Sequence, residues 1–211
     1  MNLLVTGFEP FGKYKENSSW AVAEKVAALG VDGLKVVQLP VSFNGVAAAL
    51  RKAVEEYCPN VIIMLGQAAG IDYIKLERIA INMMDSVAPD NNGFIPDEEP
   101  ICKDGAAALF TNMDIKALRR AVEEQGVAAK VSNSAGLYVC NRLYYEALRL
   151  CGERTGMKAL FVHLPLYEGQ PSATEGKSVM PVDEMTKAIE TIIHKINYTY
   201  AKNKESACTH F

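Results

Sequence analysis

One cysteine and one histidine stand where the sequence could support nucleophilic catalysis. Cys140 follows the turn-forming residues 133–136, at the point where a helix is predicted to begin. The free N–H groups and the dipole of a helix N-terminus favour the thiolate, which is the reactive form of cysteine. His163 ends an apolar segment directly before Leu164, and its imidazole can accept a proton near neutral pH. If these two side chains meet in the fold, the sequence predicts a thiol hydrolase.

The other cysteines and histidines are weaker candidates for chemistry. The remaining cysteines are Cys58, Cys102, Cys151 and Cys208, and the remaining histidines are His194 and His210. Because the cysteines are scattered and form no C-x-x-C pair, they predict neither a disulfide framework nor a zinc site. Packing is the simplest interpretation for these cysteines and for His194, and His210 stands next to the C-terminus. That interpretation also stays open for His163, as a buried histidine with a backbone partner.

Catalysis by such a pair needs a third group that orients the imidazole, and the sequence leaves its identity open. The partner is adjacent in space and not in sequence, so spacing does not choose among the carboxylates. The candidates are Asp72, Glu77, Asp85, Asp90, Glu168 and Glu175. Glu77 is of interest because it lies on an otherwise apolar extended segment. The alternative interpretation is that Lys75, Glu77 and Arg78 form an exposed charged face.

Two glycine-rich segments follow predicted strands and could hold a ligand. Residues 66–70 lack the glycine spacing of dinucleotide-binding loops and the lysine of P-loops, which disfavours nucleotide binding. Residues 6–12 carry Phe8 and Phe11 among glycine and proline, in a loop where aromatic side chains rarely face water. These two rings either fold back into the core or line a flat apolar pocket.

Extended and helical patterns alternate along most of the chain. The extended segments are 3–6, 34–39, 61–65, 129–132 and 158–164, and the helical segments with their caps are 17–29, 44–57, 114–125, 140–150 and 183–198. This alternation predicts an α/β fold, a three-layer α/β/α sandwich with a mainly parallel, twisted central sheet. Gly7, Gly66 and His163 all stand at strand ends, and the carboxyl edge of such a sheet is the usual place for a ligand site.

Two segments interrupt the alternation. Residues 73–82 alternate apolar and polar side chains, which predicts a hairpin or an edge strand. Residues 85–105 are rich in proline, aspartate, asparagine and glycine and predict a long loop, and loops of that length are usually functional. Whether this loop closes over a site stays open.

Length and composition predict one domain over residues 1–211, with a frayed tail after about residue 202. Hydrophobic residues make up 49% of the 211 residues, which is enough for a buried core. The net charge is −3 and the basic residues form no cluster, so a nucleic-acid partner is not expected. The apolar runs are far shorter than a membrane span and no basic leader precedes them, which predicts no membrane partner and a cytoplasmic location.

Several motifs occur in one order along nearly the whole chain. They are residues 6–12 (TGFEPFG), 17–20 (NSSW), 66–70 (GQAAG), 77–82 (ERIAIN), 89–91 (PDN), 135–136 (AG), 139–141 (VCN) and 163–165 (HLP). In sequence and order they resemble the pyroglutamyl-peptidase I family of cysteine peptidases, also called pyrrolidone-carboxylate peptidases. The resemblance implies a cysteine-type omega peptidase, which removes an N-terminal pyroglutamate from peptides by thiolate attack, acyl-enzyme formation and hydrolysis. It implies no metal and no other cofactor, and a cytosolic enzyme that is expected to be a homo-oligomer, often a homotetramer in bacteria.

The same resemblance implies roles for particular residues. Glu77, Cys140 and His163 match the family's catalytic triad, so the resemblance selects the acid that spacing leaves open. The matching substrate-binding set is Phe8, Phe11, Gln67, Tyr138 and Val139. Aromatic faces would enclose the flat, uncharged lactam, and the amide of Gln67 would pair with it. A charged free amino terminus would be costly to desolvate in such a slot.

The chain departs from the family pattern at a few positions. Ile71 and Val87 stand where the family usually has arginine, and Val41 stands where many members have threonine. These differences keep two alternatives open. One is a thiol hydrolase that acts on another small cyclic amide or acyl amide, and the other is a non-catalytic relative that binds a lactam or a peptide.

Overall fold

The computed structural model describes residues 1–171 and 178–208, and a six-stranded sheet lies at their centre. The strands are β1 (Leu3–Phe8), β2 (Leu34–Leu39), β3 (Val61–Gln67), β4 (Ile74–Glu77), β5 (Ile79–Ile81), β6 (Ala108–Phe110), β7 (Ala129–Ser132), β8 (Lys158–Leu164), β9 (Leu166–Tyr167) and β10 (Val179–Met180). The helices are α1 (Ser18–Ala28), α2 (Val46–Tyr57), α3 (Ile115–Glu124), α4 (Val139–Glu153) and α5 (Val182–Cys208).

The central sheet has the strand order β2-β1-β3-β8-β4-β7 and is mainly parallel. The strands β1, β2, β3 and β8 run in one direction, whereas β4 is antiparallel to β8 and parallel to β7. Helices α1, α3 and α5 cover one face of the sheet, and α2 and α4 cover the other. The predicted α/β sandwich with a mainly parallel central sheet is therefore confirmed.

Two hydrophobic clusters, one on each face of the sheet, explain this layering. Side chains alternate across a strand, so Val5 and Ile63 pack toward α1, α3 and α5, while Leu4 and Ile62 pack toward α2 and α4. Every residue of β3 is buried because both of its faces are covered. This double burial is the reason that residues 61–65 form a continuous apolar run.

The helix boundaries follow the predicted caps at two N-termini. The Asn17 side chain accepts a hydrogen bond from the backbone N–H of Ser19 at the start of α1, and the Asp114 side chain caps α3 in the same way through Ala117. Among the helices that the structure describes, none is long and apolar enough to cross a membrane.

The two C-terminal helices are longer than predicted. Helix α4 places Cys140 in its first turn, as predicted, and ends at Glu153, one residue past the predicted stop at Gly152. Helix α5 continues past its predicted end near Tyr198, and past the point where fraying is expected, to Cys208. Residues 209–211, including His210, lie outside the described part of the chain.

Residues 73–82 are extended, as predicted, but the expected hairpin or edge position is wrong for their first part, residues 74–77. Strand β4 is an interior strand between β8 and β7, and β5 pairs with β6 in a separate two-stranded sheet. Ile74 and Leu76 are buried beneath α1, α3 and α5, so Lys75 and Glu77 lie on the opposite face. An edge strand and an interior strand with functional side chains both alternate apolar and polar residues. Which of the two forms depends on the strands that pair with it, and these are distant in sequence.

The predicted long loop over residues 85–105 is fastened to the segment that precedes α4. An isolated bridge between Met84 and Glu99 closes the loop at its base. The backbone N–H of Asp85 donates to the carbonyl oxygen of Leu137, and the Tyr138 hydroxyl donates to the carbonyl oxygen of Pro89. These contacts place one side of the loop beside the first turn of α4.

Candidate active site

The carboxyl ends of β3 and β8 meet the first turn of α4 on one face of the sheet. In the parallel register Gly66 pairs with His163. A Cβ atom built on Gly66 would lie 3.1 Å from Cys140 Sγ and 2.7 Å from the ring of Phe161. The strand must therefore carry glycine at this position so that the thiol can lie against the sheet.

His163 is held by a carboxylate on the neighbouring strand. Its Nδ1 atom lies 2.8 Å from Glu77 Oε1, and Glu77 is completely buried. In the antiparallel register Glu77 stands opposite Phe161, so its side chain reaches His163 along the diagonal. An ionised carboxylate only accepts hydrogen bonds, so in a pair with it Nδ1 is the donor. The ring of Phe161 lies 4.8 Å from the imidazole and packs against it.

The other candidate acids lie elsewhere. Asp72 and Glu168 are exposed, and Asp90 accepts hydrogen bonds from the backbone N–H groups of Phe43 and Phe94. Glu175 lies outside the described residues. The interpretation of Glu77 as part of an exposed charged face is wrong, because the antiparallel pairing with β8 buries it.

A cavity of about 140 Å³ opens at this edge of the sheet. Its walls are Phe8, Phe11, Asn17, Val41, Gln67, Ala135, Tyr138, Val139, Cys140 and His163. It brings the cysteine and the histidine together with all five side chains that the resemblance assigns to substrate binding. Of the two phenylalanines, Phe8 is buried in the core and also lines the cavity, whereas Phe11 is half-buried.

The aromatic walls support one another. The ring centroids of Phe11 and Tyr138 are 6.2 Å apart, and the ring of Phe43 meets that of Tyr138 edge-on at 5.1 Å. Packing of this kind restricts the rotamers of the rings, so the cavity presents rigid apolar faces to a ligand.

The amide of Gln67 has one fixed orientation. Its Oε1 atom accepts hydrogen bonds from the backbone N–H of Ser18 at 2.9 Å and from Gln170 Nε2 at 2.8 Å. Its Nε2 atom is buried and has no hydrogen-bond partner among residues 1–171 and 178–208. Because two donors hold the oxygen, the side chain offers the cavity a hydrogen-bond donor.

Sequence reasoning missed the part that two residues, Gln170 and Asn17, play in this site. Gln170 is buried, donates to Gln67 and to the carbonyl oxygen of Glu16, and accepts from the backbone N–H of Tyr167. It lies in an irregular segment where no local pattern marks it. Asn17 is predicted as a helix cap, and the structure adds that its side chain lines the cavity.

The electrostatics of Cys140 differ from expectation. Burial, and after it the nearby Glu77 carboxylate, raises the pKa of the Cys140 thiol to about 12, although the residue's own backbone N–H and Lys75 act to lower it. The helix N-terminus therefore acts in the predicted direction, but it does not by itself ionise the thiol. At neutral pH the resting thiol keeps its proton, so attack requires a base that removes it.

The three positions that depart from the family pattern have different environments. Val41 is buried and lines the cavity, Ile71 is half-buried, and Val87 is fully exposed on the long loop. Ile71 and Val87 do not line the cavity. Within the described part of the chain, no group of three or more His, Cys, Asp or Glu side chains is arranged to hold a metal ion.

The sequence matches known peptidases along most of its length. A family model described as pyroglutamyl peptidase matches residues 1–198. A pyrrolidone-carboxylate peptidase of Enterobacter sp. (strain 638) is 40% identical over 191 residues, which are 90% of this chain and 89% of that protein. Another, of Thermococcus onnurineus (strain NA1), is 39% identical over 198 residues, 92% of this chain and 97% of that protein.

Solved structures share the fold. Pyrrolidone carboxyl peptidase of Fervidobacterium islandicum AW-1 matches with a TM-score of 0.88 and 33% identity, over 94% of this chain and 99% of that chain. Pyroglutamyl peptidase I of Bacillus amyloliquefaciens matches with a TM-score of 0.83 and 34% identity, over 90% of this chain and 94% of that chain. Fold and sequence together define a cysteine-type omega peptidase. The chain belongs to the pyroglutamyl peptidase family, as its motifs predict.

Proposed function

We propose that this protein removes pyroglutamate from the N-terminus of peptides, with Cys140 as nucleophile, His163 as general base and acid, and Glu77 as the acid that orients the imidazole. One observation carries the proposal: Cys140 and His163 line the same small cavity as the donor amide of Gln67. Membership of the pyroglutamyl peptidase family supports the same substrate class.

The cavity suits a pyroglutamyl group. That group is a flat, uncharged lactam with one N–H and one C=O. Gln67 Nε2 donates to the lactam carbonyl, and the rings of Phe8, Phe11 and Tyr138 with Val139 enclose the ring. A free amino terminus would lose its hydration in this apolar space without gaining a carboxylate partner, so ordinary peptides are excluded.

The resting thiol is neutral, so general-base catalysis begins the reaction. His163 Nε2 takes the proton from Cys140 as the sulfur attacks the pyroglutamyl carbonyl carbon. Glu77, bonded to Nδ1, stabilises the imidazolium that forms. The backbone N–H of Cys140 and its neighbours in the first turn of α4 stabilise the oxyanion.

The later steps use the same groups. His163 returns the proton to the leaving amine, which releases the shortened peptide and leaves a thioester on Cys140. Water then attacks the thioester, with His163 taking its proton, and pyroglutamate leaves as the thiol is restored. The steps balance with the substrate and one water molecule.

The test is release of a fluorescent amine from a pyroglutamyl aminocoumarin amide between pH 6 and pH 9. Wild type should release the amine, and Cys140→Ser should fold but release none above background. The prolyl amide, which lacks the lactam carbonyl, should be a poor substrate. An absence of turnover by wild type across this pH range would reject the proposal. Turnover of other cyclic amides in its place would indicate the broader thiol hydrolase.

Several expectations stay predictions beside this proposal. They are the homo-oligomeric state, a homotetramer by resemblance, the cytoplasmic location, the single domain, and the absence of a nucleic-acid or membrane partner. Sedimentation measurements on the purified protein would determine the first of them.

A further inference from the structure

Lys75 contacts the catalytic carboxylate directly. Its Nζ atom lies 3.3 Å from Glu77 Oε1, the oxygen that also contacts His163 Nδ1. The register of β4 and β8 places Lys75 directly opposite His163, so the ammonium, the carboxylate and the imidazole share one face of the sheet. The lysine side chain is 26% exposed, whereas Glu77 is completely buried.

Glu77 needs such a partner. A buried carboxylate loses its hydration, and its charge is tolerated only with compensating contacts. Its Oε2 atom has no hydrogen-bond partner within residues 1–171 and 178–208. Within these residues, the polar contacts of the carboxylate are made by Oε1, with His163 and Lys75. Of the two side chains on Oε1, His163 is neutral for part of the catalytic cycle, and Lys75 is the permanent cation.

Lys75 also reaches the segment that delivers the nucleophile. Its Nζ donates to the carbonyl oxygen of Ser134 at 3.3 Å. Ser134 lies between β7 and Tyr138, the cap residue of α4. One ammonium therefore joins the strand that carries Glu77 to the segment that leads into Cys140.

We propose that Lys75 is a positioning residue of this active site, which neutralises the buried Glu77 carboxylate and fastens β4 to the segment leading into Cys140. The effect on turnover rests on the proposed function. The effect on the thiol does not, because it follows from charge and geometry alone.

The charged and titratable groups around Glu77 come from three elements. His163 faces it from β8, Cys140 and Tyr144 face it from α4, and Lys130 lies on β7 in register with Lys75. Among the groups that act on Cys140, Glu77 raises the pKa of the thiol and Lys75 lowers it. Loss of Lys75 therefore leaves the Glu77 charge uncompensated and makes the thiol harder to ionise.

The test compares three variants with wild type. Lys75→Gln removes the charge but keeps an N–H donor for Ser134, and Lys75→Arg keeps the charge. Lys130→Gln is the matched control, because Lys130 is the exposed register neighbour whose ammonium lies 4.1 Å from the Tyr73 ring centroid. The readout is the rate of Cys140 alkylation by iodoacetamide from pH 7 to pH 10, followed by mass spectrometry of the Cys140 peptide.

Lys75→Gln should slow alkylation at a given pH by about threefold to tenfold, the effect of one partly screened charge near the thiol. Lys75→Arg should restore the rate to within about twofold, and Lys130→Gln should leave it unchanged. With the pyroglutamyl amide, Lys75→Gln should lower kcat and leave KM close to the wild-type value.

An alkylation profile of Lys75→Gln that coincides with the Lys130→Gln profile would overturn the inference. A loss in Lys75→Arg as large as in Lys75→Gln would also overturn it, since both would then reflect packing and not charge. If wild type releases no amine, the proposed function fails, but the alkylation comparison still decides the role of Lys75.

Discussion

Gly66 and Cys140 lie in contact across the gap between the sheet and α4. A Cβ atom on Gly66 would stand 3.1 Å from the sulfur, closer than nine in ten real contacts of that kind. The parallel register pairs Gly66 with His163, so the imidazole lies at the same end of the sheet. Because Gly66 has no side chain, Cys140 of α4 can lie directly against β3.

Gly66→Ala should therefore impair catalysis with a smaller effect on folding. The added methyl group would also meet the ring of Phe161 at 2.7 Å, which is buried and packs against His163. We expect kcat/KM to fall about 100-fold, since displacement of reacting groups by about 1 Å has effects of that size. Strain in the core should lower the free energy of unfolding by about 1–3 kcal/mol.

Gly152→Ala is the control for that experiment. Gly152 lies within α4, and a Cβ atom there would have open space around it. Alanine should stabilise the helix by about 0.5–1 kcal/mol and leave kcat/KM unchanged. Equal activity in the two variants would show that the close approach at Gly66 does not matter for catalysis.

Glu77→Gln should abolish most turnover while the protein stays folded. The amide keeps the shape of the carboxylate but cannot stabilise the imidazolium, and it permits the wrong tautomer of His163. We expect kcat to fall by about 10³–10⁴-fold, measured with the pyroglutamyl amide. Asp72→Asn, which changes an exposed candidate acid, should keep wild-type activity. A loss of kcat in Asp72→Asn as large as that in Glu77→Gln would contradict the assignment of Glu77 as the acid that orients His163.

Local patterns predict the parts of this site that one element determines by itself. The turn before Cys140 marks a helix start, and the apolar run before His163 marks a strand end. Both predictions are confirmed. Each depends only on the local order of turn-forming and apolar residues along the chain. The choice of Glu77 needed the family resemblance, since its contact with His163 depends on which strand lies beside β8.

The rest of the site depends on pairing and burial, which no local pattern records. The interior position of β4 brings Glu77 to His163 of β8, yet the sequence predicts a hairpin or an edge strand there. Gln170 meets Gln67 across a separation of 103 residues. The raised pKa of Cys140 comes first from desolvation, which is a property of the assembled cavity and not of the helix start.

Gln67→Met should remove much of the selectivity for pyroglutamate. Methionine is close to glutamine in shape but offers no donor, and it leaves the two donors that held Oε1 without that acceptor. We expect kcat/KM for the pyroglutamyl amide to fall about 100-fold, toward the value for the prolyl amide. A retained preference for pyroglutamyl over prolyl amide would refute the assignment of Gln67.

Gln170→Met should produce a weaker form of the same defect. Gln170 does not line the cavity, but it supplies one of the two donors that orient the Gln67 amide. Loss of that donor lets the amide sample other orientations, so kcat/KM for the pyroglutamyl amide should fall about tenfold. The ratio of kcat/KM for the pyroglutamyl amide to kcat/KM for the prolyl amide should also fall. A change in thermal stability without a change in this ratio would mean that Gln170 has a structural role only.

Alkaline pH should destabilise the protein through Cys140. Folding raises the pKa of this thiol from its ordinary 9.0 to about 12, because burial and Glu77 disfavour the thiolate. Between these values the folded state binds more protons than the unfolded state, so stability that is complete below pH 9 is lost as the pH rises toward 12. Cys140→Ser removes this titration, so its Tm should fall less than that of wild type between pH 8.5 and pH 11.

Cys151, whose pKa burial raises to about 11, provides the comparison. Cys151→Ser should reduce the fall in Tm over the same pH range by less than Cys140→Ser does. Parallel Tm curves for wild type and Cys140→Ser would contradict a raised pKa of Cys140.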